Sequence, residues 1–132
     1  MGILYGTGQV LQDLRVGRAT YDFATHAGAA GNVTLGTIIP KGAVVILVAG
    51  SCNETILPAT AKMTINIGAV EVLAATLVNN ATITGAGSHY TTPPLEILVD
   101  SEVNIDISVD DYTVGNYDIF VKYYMGTGND SV

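Results

Sequence analysis

Two histidines, one cysteine and a stretch of carboxylates are the residues of this 132-residue sequence with the types to do chemistry. Nucleophilic catalysis needs a nucleophile, a base and an orienting group brought together. His26 and His89 sit in separate Gly/Ser/Thr-rich loops, and neighbouring Ser88 and His89 would point apart on an extended chain. A transition-metal site on a β-barrel needs several imidazoles converging on one ion, and no His-x-His pair occurs here. Cys52, within Gly50-Ser51-Cys52-Asn53, has no second cysteine to pair with and reads as a small hydrophobe near a strand end. Gly6-Thr7-Gly8 and Gly85-Ala86-Gly87 lack the lysine and the strand-to-helix setting of a phosphate loop.

The acids are unevenly placed. Glu96, Asp100, Glu102, Asp106, Asp110, Asp111 and Asp118 follow one another with no Lys or Arg between them. Asp106, Ser108 and Asp110 alternate with Ile107 and Val109, so they share one strand face with Asp111 at its end. Same-face carboxylates on a strand lie ~7 Å apart, whereas a hard cation takes six to eight oxygens from a loop that wraps it. A solvated acidic face is the favoured reading, with weak Ca²⁺ binding at Asp110-Asp111 and a neighbouring loop as the alternative. Paired carboxylates also serve glycoside hydrolysis, but sugar clefts stack the ring on aromatics and this chain has no Trp. Tyr112, Tyr117, Tyr123 and Tyr124 would suit a lectin-like patch; at strand spacing they read better as core-edge or subunit-interface residues.

The elements that position these residues are strands. Hydrophobic residues make up 48% of the chain and charged ones only 13%, the reverse of a disordered composition. Val, Ile and Thr are abundant, and β-branched side chains pack well on pleated sheets. Five Lys+Arg against 12 Asp+Glu give a net charge of −7, which excludes nucleic-acid binding and disfavours an anionic membrane. The longest apolar run, residues 43–49, is far short of a membrane span. Residues 62–67 alternate Met63, Ile65 and Ile67 with Lys62, Thr64 and Asn66, and Gly68-Ala69 turns them into 70–78 as a hairpin. Strands are also expected at 18–24, 32–39, 43–49 (buried on both faces), 95–99, 103–109 and 117–125, with Gly115-Asn116 as a turn and a polar link with a short β piece at 81–87. About eight short strands and no convincing helix beyond the first twenty residues predict an all-β, antiparallel, jelly-roll-like sandwich over residues 19–125.

Residues 1–18 form an extended, glycine-spaced apolar N-terminal arm, with one helical turn at most around Val10, Leu11 and Leu14. Such a segment is either a frayed or tag-like end or an arm that gains order by packing on a neighbouring subunit, and in the second case Ile3, Leu4, Tyr5, Val10, Leu11 and Leu14 are the candidate contact residues. Residues 126–132 are a small, polar, flexible tail.

Three segments carry a resemblance. Arg18-Ala19-Thr20-Tyr21-Asp22-Phe23 precedes a Gly/Ala loop, then Val33-Thr34-Leu35-Gly36-Thr37-Ile38-Ile39-Pro40-Lys41-Gly42-Ala43-Val44-Val45 follows; Tyr117-Asp118-Ile119-Phe120-Val121-Lys122-Tyr123-Tyr124 closes the chain. Together they resemble small all-β virion proteins of tailed bacteriophages, of the head-decoration, cement or head-fibre kind. The resemblance implies a structural protein without catalytic residues or cofactors, located in the virion and assembled in the host cytoplasm. It also implies a capsid protein or another virion protein as partner. Apolar runs such as 43–49 and the two-faced 117–125 exceed what one core needs, and a homotrimer would bury the surplus. A carbohydrate- or receptor-binding module of a tail or head fibre is the alternative function.

Overall fold

The computed structural model describes residues 13–85, the backbone of 88–90, and residues 94–125. Its strands are β1 (Asp13–Asp22), β2 (Gly31–Ile39), β3 (Ala43–Leu57), β4 (Lys62–Ile67), β5 (Val70–Leu77), β6 (Ser88–Tyr90), β7 (Leu95–Glu96), β8 (Ser101–Ser108) and β9 (Val114–Met125). Two single-turn helices, α1 (Phe23–His26) and α2 (Ala81–Thr84), interrupt them. One sheet runs β1-β9-β3-β6, with β7 also on β3, and the other runs β2-β8-β4-β5. Every pairing is antiparallel. Because β6 and β7 occupy one position beside β3, eight strand positions result. The chain alternates between the two sheets except at the β4–β5 hairpin and at β6–β7, which gives the strand orders of a jelly roll, so the expected fold class holds.

The core forms where the two sheets face each other. Met63, Ile65 and Ile67 of β4 and Val103, Ile105 and Ile107 of β8 are buried at 2% exposure or less. They meet Ala19, Tyr21, Val45, Val48, Ile119 and Val121 from the opposite sheet in one cluster. Strict alternation on β4 and β8 follows from each strand having one face on this core.

Several sequence expectations are corrected. Strand 18–24 starts earlier, at Asp13, and ends at Asp22, whose carboxylate accepts from the Ala24 N–H and caps α1. Leu14 therefore lies on a strand and not in a helical turn. The run 43–49 opens a 15-residue strand, and it is not buried on both faces. Register slips between Val45 and Leu47, so Ile46 is the extra residue of a bulge. The bulge lets both Val45 and Val48 point inward while Val44, Leu47 and Ala49 face out, half-buried. Asn80 caps α2 where a polar link was expected, and only Leu95–Glu96 of 95–99 is strand. Gly115 and Asn116 lie within β9 rather than in a turn. The alternation of 103–109 stops at Ser108, because Val109 takes φ 73° and is 68% exposed. That is a strained backbone for a β-branched residue.

At the end of the sandwich away from Asp13, Tyr21 and Tyr112 meet edge to face with centroids 5.6 Å apart. Tyr21 donates to the Ala27 carbonyl at 2.6 Å and Tyr112 to the Lys62 carbonyl at 2.9 Å. Burial, aided by the Asp22 charge, pushes the Tyr21 phenol up to about 12. Burial and then Tyr21 push Tyr112 up as well. Both phenols are thus neutral in the fold beyond their ordinary range. Their stabilisation is complete below pH ~10 and is lost as pH rises through the folded values. An alkaline titration followed by ultraviolet absorbance should show late-ionising tyrosines, Tyr21 and Tyr112 among them, that appear together with unfolding. Seven tyrosines ionising in one step near pH 10 would contradict this pairing.

Candidate functional site

The strand register brings an apolar surface to the outside of the β1-β9-β3 sheet. Residues paired across antiparallel strands point to the same face, so the register can be read in rows. The first row is Leu14, Tyr124 and Val44; the second is Val16, Lys122 and Leu47; the third is Arg18, Phe120 and Ala49. Leu14 and Val16 are 47% and 60% exposed, and the others apart from Arg18 are half-buried. Lys122 and Arg18 are the cationic residues in these rows. The face is apolar on a sheet whose opposite side already packs the core.

The next row changes character. Thr20, Asp118 and Ser51 pair across the same three strands. Asp118 is buried and accepts from Thr20 Oγ1 at 2.6 Å, Asn53 Nδ2 at 2.8 Å and the Arg18 guanidinium at 3.0 Å. Burial works to raise the Asp118 carboxyl, but the Thr20, Asn53 and Arg18 hydrogen bonds and the Arg18 charge outweigh it and hold it below its ordinary value. A depressed carboxyl contributes stability that is present above the unfolded value near 4 and lost as pH falls through the folded value. Asp118→Asn should therefore cost on the order of 2 kcal/mol at pH 7 in denaturant melts and show less acid sensitivity than the parent. Parallel stability curves for the two proteins from pH 7 to pH 3 would remove this role.

Glu96, Asp100, Asp110 and Asp111 are exposed, and most acids of this stretch also work as clamps. Asp106 accepts from Asn32, its register partner on β2, at 2.9 Å and from Asn66 of β4, which pairs with Asn104, at 3.0 Å. Asn104 extends this network, accepting from Asn32 at 2.7 Å and Asn66 at 2.9 Å. Asp111 accepts from the Ala30 N–H at 2.9 Å, and Asp110 accepts a short hydrogen bond from Thr60. Asp100 holds the Lys41 N–H at 2.8 Å and Glu102 the Gly36 N–H at 2.7 Å. Gly36, at φ 83°, sits in the register shift of β2 between Thr34 and Ile38, where a left-handed backbone is needed. Each carboxylate thus ties down backbone or side chains more than 30 residues away. Among the described residues, no group of three or more His, Cys, Asp or Glu side chains is placed to hold a metal ion.

Of the candidate contact residues, Leu14 lies on the outward face of the edge strand β1, whereas Ile3, Leu4, Tyr5, Val10 and Leu11 lie outside the described residues. Tyr112, Tyr117 and Tyr123 are 2%, 0% and 7% exposed, so of the four tyrosines considered for a sugar-binding patch only Tyr124 reaches the surface.

A second apolar feature was not foreseen in the sequence. Segment 96–99 and the β4–β5 turn enclose an open groove of about 180 Å³, lined by Ile67, Val70, Ile97, Leu98 and Val99 with Glu96 at its side. Val70, Leu98 and Val99 are 44%, 69% and 67% exposed. Backbone bonds fix the walls: Gly42 N–H to the Ile97 carbonyl at 2.8 Å, Ile97 N–H to Ala43 at 2.9 Å, and Gly68 N–H to Glu102 at 2.9 Å. The apolar run Ile97-Leu98-Val99 before Asp100 was the available signal, but a short apolar run reads equally well as a strand.

No family model and no curated protein matches the sequence. Solved structures do. The chain is similar to one in the capsid asymmetric unit of cyanophage Pam1, with 21% identity, 94% of each chain covered and a TM-score of 0.64. It is similar to a chain in the acid-stable capsid of Helicobacter pylori bacteriophage KHP30, with 12% identity, 87% of this chain and 90% of that one covered, and a TM-score of 0.61. The capsid of Ralstonia phage GP4 supplies a third, with 14% identity, 87% and 86% covered, and a TM-score of 0.61. The chain therefore has a jelly-roll fold shared with components of three phage capsids.

Proposed function

We propose that this chain is a virion structural protein, a decoration or cement subunit that binds the outer shell of a phage head as a homotrimer and stabilises it. The observation that carries the reading is the apolar outer face built from Leu14, Val16, Val44, Leu47, Phe120 and Tyr124. A sandwich with its core complete on one side of this sheet has no internal use for apolar residues on the other; contact with another subunit or with the shell does. The fold shared with capsid components supports the same reading. On it the protein turns over no substrate, and its partners are copies of itself and the shell protein. A net charge of −7 keeps the assembled particles mutually repelling.

The test is the protein inventory of purified particles, with copy number. Hundreds of copies in fixed proportion to the shell protein support a cement role. A handful would instead place the chain in a tail or fibre, where receptor binding is the natural function, and absence from the particle would overturn the virion role. Light scattering should return three times 13.7 kDa.

A further inference from the structure

We propose that the groove of segment 96–99 receives the apolar arm of a neighbouring copy, with residues 3–5 as the inserted anchor. The inference deepens the oligomer reading above and rests on it.

The strand order places groove and arm at the same end of the sandwich but on opposite edges. Asp13, where β1 begins, pairs with Met125, which also pairs with Ala43, and Ala43 is bonded to the groove residue Ile97. In that sheet β9 and β3 separate β1 from β7, a span of about 15 Å at the spacing of neighbouring strands. The arm therefore leaves from one edge and the groove opens at the other. Two different patches on opposed edges form a head-to-tail contact, and such contacts close into rings when the rotation allows. The exposed pair Leu14 and Val16 at the arm's root and the exposed Val70, Leu98 and Val99 at the groove are then covered in one interface.

Reach and chemistry select the occupant. Twelve residues precede β1, and extended chain covers at most about 40 Å over that length. Val10 and Leu11 fall within about 10 Å of the β1 start, whereas Ile3, Leu4 and Tyr5 lie far enough out to cross to the next subunit. Residues 1–12 contain no Asp, Glu, Lys or Arg, so nothing in them opposes an apolar groove or repels Glu96. The groove volume of about 180 Å³ suits one large apolar side chain, being comparable with ~150 Å³ cavities that admit a benzene ring.

Cysteine cross-linking of the full chain tests this. In a Cys52→Ser background, Leu4→Cys with Leu98→Cys should yield covalent dimers and trimers on mild oxidation, seen on a non-reducing gel and mapped by mass spectrometry. A control combining Leu4→Cys with Val109→Cys, at the opposite end of the sandwich, should stay monomeric on the gel. A 4–98 link inside one chain would overturn exchange between copies, and so would absent linkage in a protein that light scattering still finds trimeric. Neither result touches the oligomer reading itself, whereas a monomer in light scattering removes that reading and the exchange together. As a second readout, Val99→Asp at its exposed position should weaken association roughly tenfold without lowering the melting temperature; unchanged association would count against the groove.

Discussion

Val16→Glu should reduce self-association or shell attachment by about a hundredfold while leaving the isolated subunit as stable as before. Val16 is 60% exposed and lies opposite Lys122 on β9, in the second row of the apolar outer face. Burying a valine in an interface contributes roughly 1.5–3 kcal/mol, and putting a carboxylate in its place adds the cost of desolvating the charge. About 3 kcal/mol corresponds to a hundredfold in an association constant. In the isolated subunit the new carboxylate faces the Lys122 ammonium across the strand pair, an arrangement that is neutral to mildly stabilising. Analytical ultracentrifugation and a thermal melt separate the two effects. Unchanged association would show that this face is not the contact, and a melting temperature lowered by many degrees would show that Val16 serves the fold.

Gly28→Ala should be the most damaging single-methyl change, at about 3 kcal/mol or more of lost stability. Gly28 passes so close to the Tyr112 backbone that an added Cβ overlaps the Tyr112 carbonyl oxygen and lies 2.9 Å from the Tyr112 Cβ. Main-chain atoms cannot swing aside as a side-chain tip can, so the loop after α1 must separate from the segment before β9. That separation breaks the 2.7 Å bond from Tyr112 N–H to the Gly28 carbonyl and disturbs the Tyr112 ring, which packs on Tyr21 and donates to Lys62. Denaturant melts measure the loss; a variant within 0.5 kcal/mol of the parent would contradict the close approach. Gly50 is a parallel case, since a methyl there would overlap the Tyr117 ring, which crosses β3 at that point.

The jelly roll and the acidic clamps differ in how far they could be read in advance. Alternation on 62–67 and 103–107 identifies β4 and β8 because burial on one face is a local, period-two property. The turn at Gly68-Ala69 is equally local. The acids of 96–118 were legible as a cluster but not as clamps, because the groups they hold come from Ala30, Asn32, Gly36, Lys41, Thr60 and Asn66. Nothing in the neighbouring sequence announces a hydrogen bond to a residue dozens of positions away.

Composition and local pattern are enough to specify a strand-rich, acidic, single-cysteine domain with more apolar residues than one core needs. Periodicity, turn residues and charge are all properties of neighbouring positions. Where the surplus goes depends on how the strands pair. The Ile46 bulge turns Val44 and Leu47 outward, and the β1-β9-β3 register lines them up with Leu14, Val16, Phe120 and Tyr124. Packing of segment 97–102 against the β2–β3 and β4–β5 turns then leaves Leu98 and Val99 at the rim of a groove. A surface of this kind depends on register and on which strand lies beside which, and pairing over such distances is a property of the folded chain.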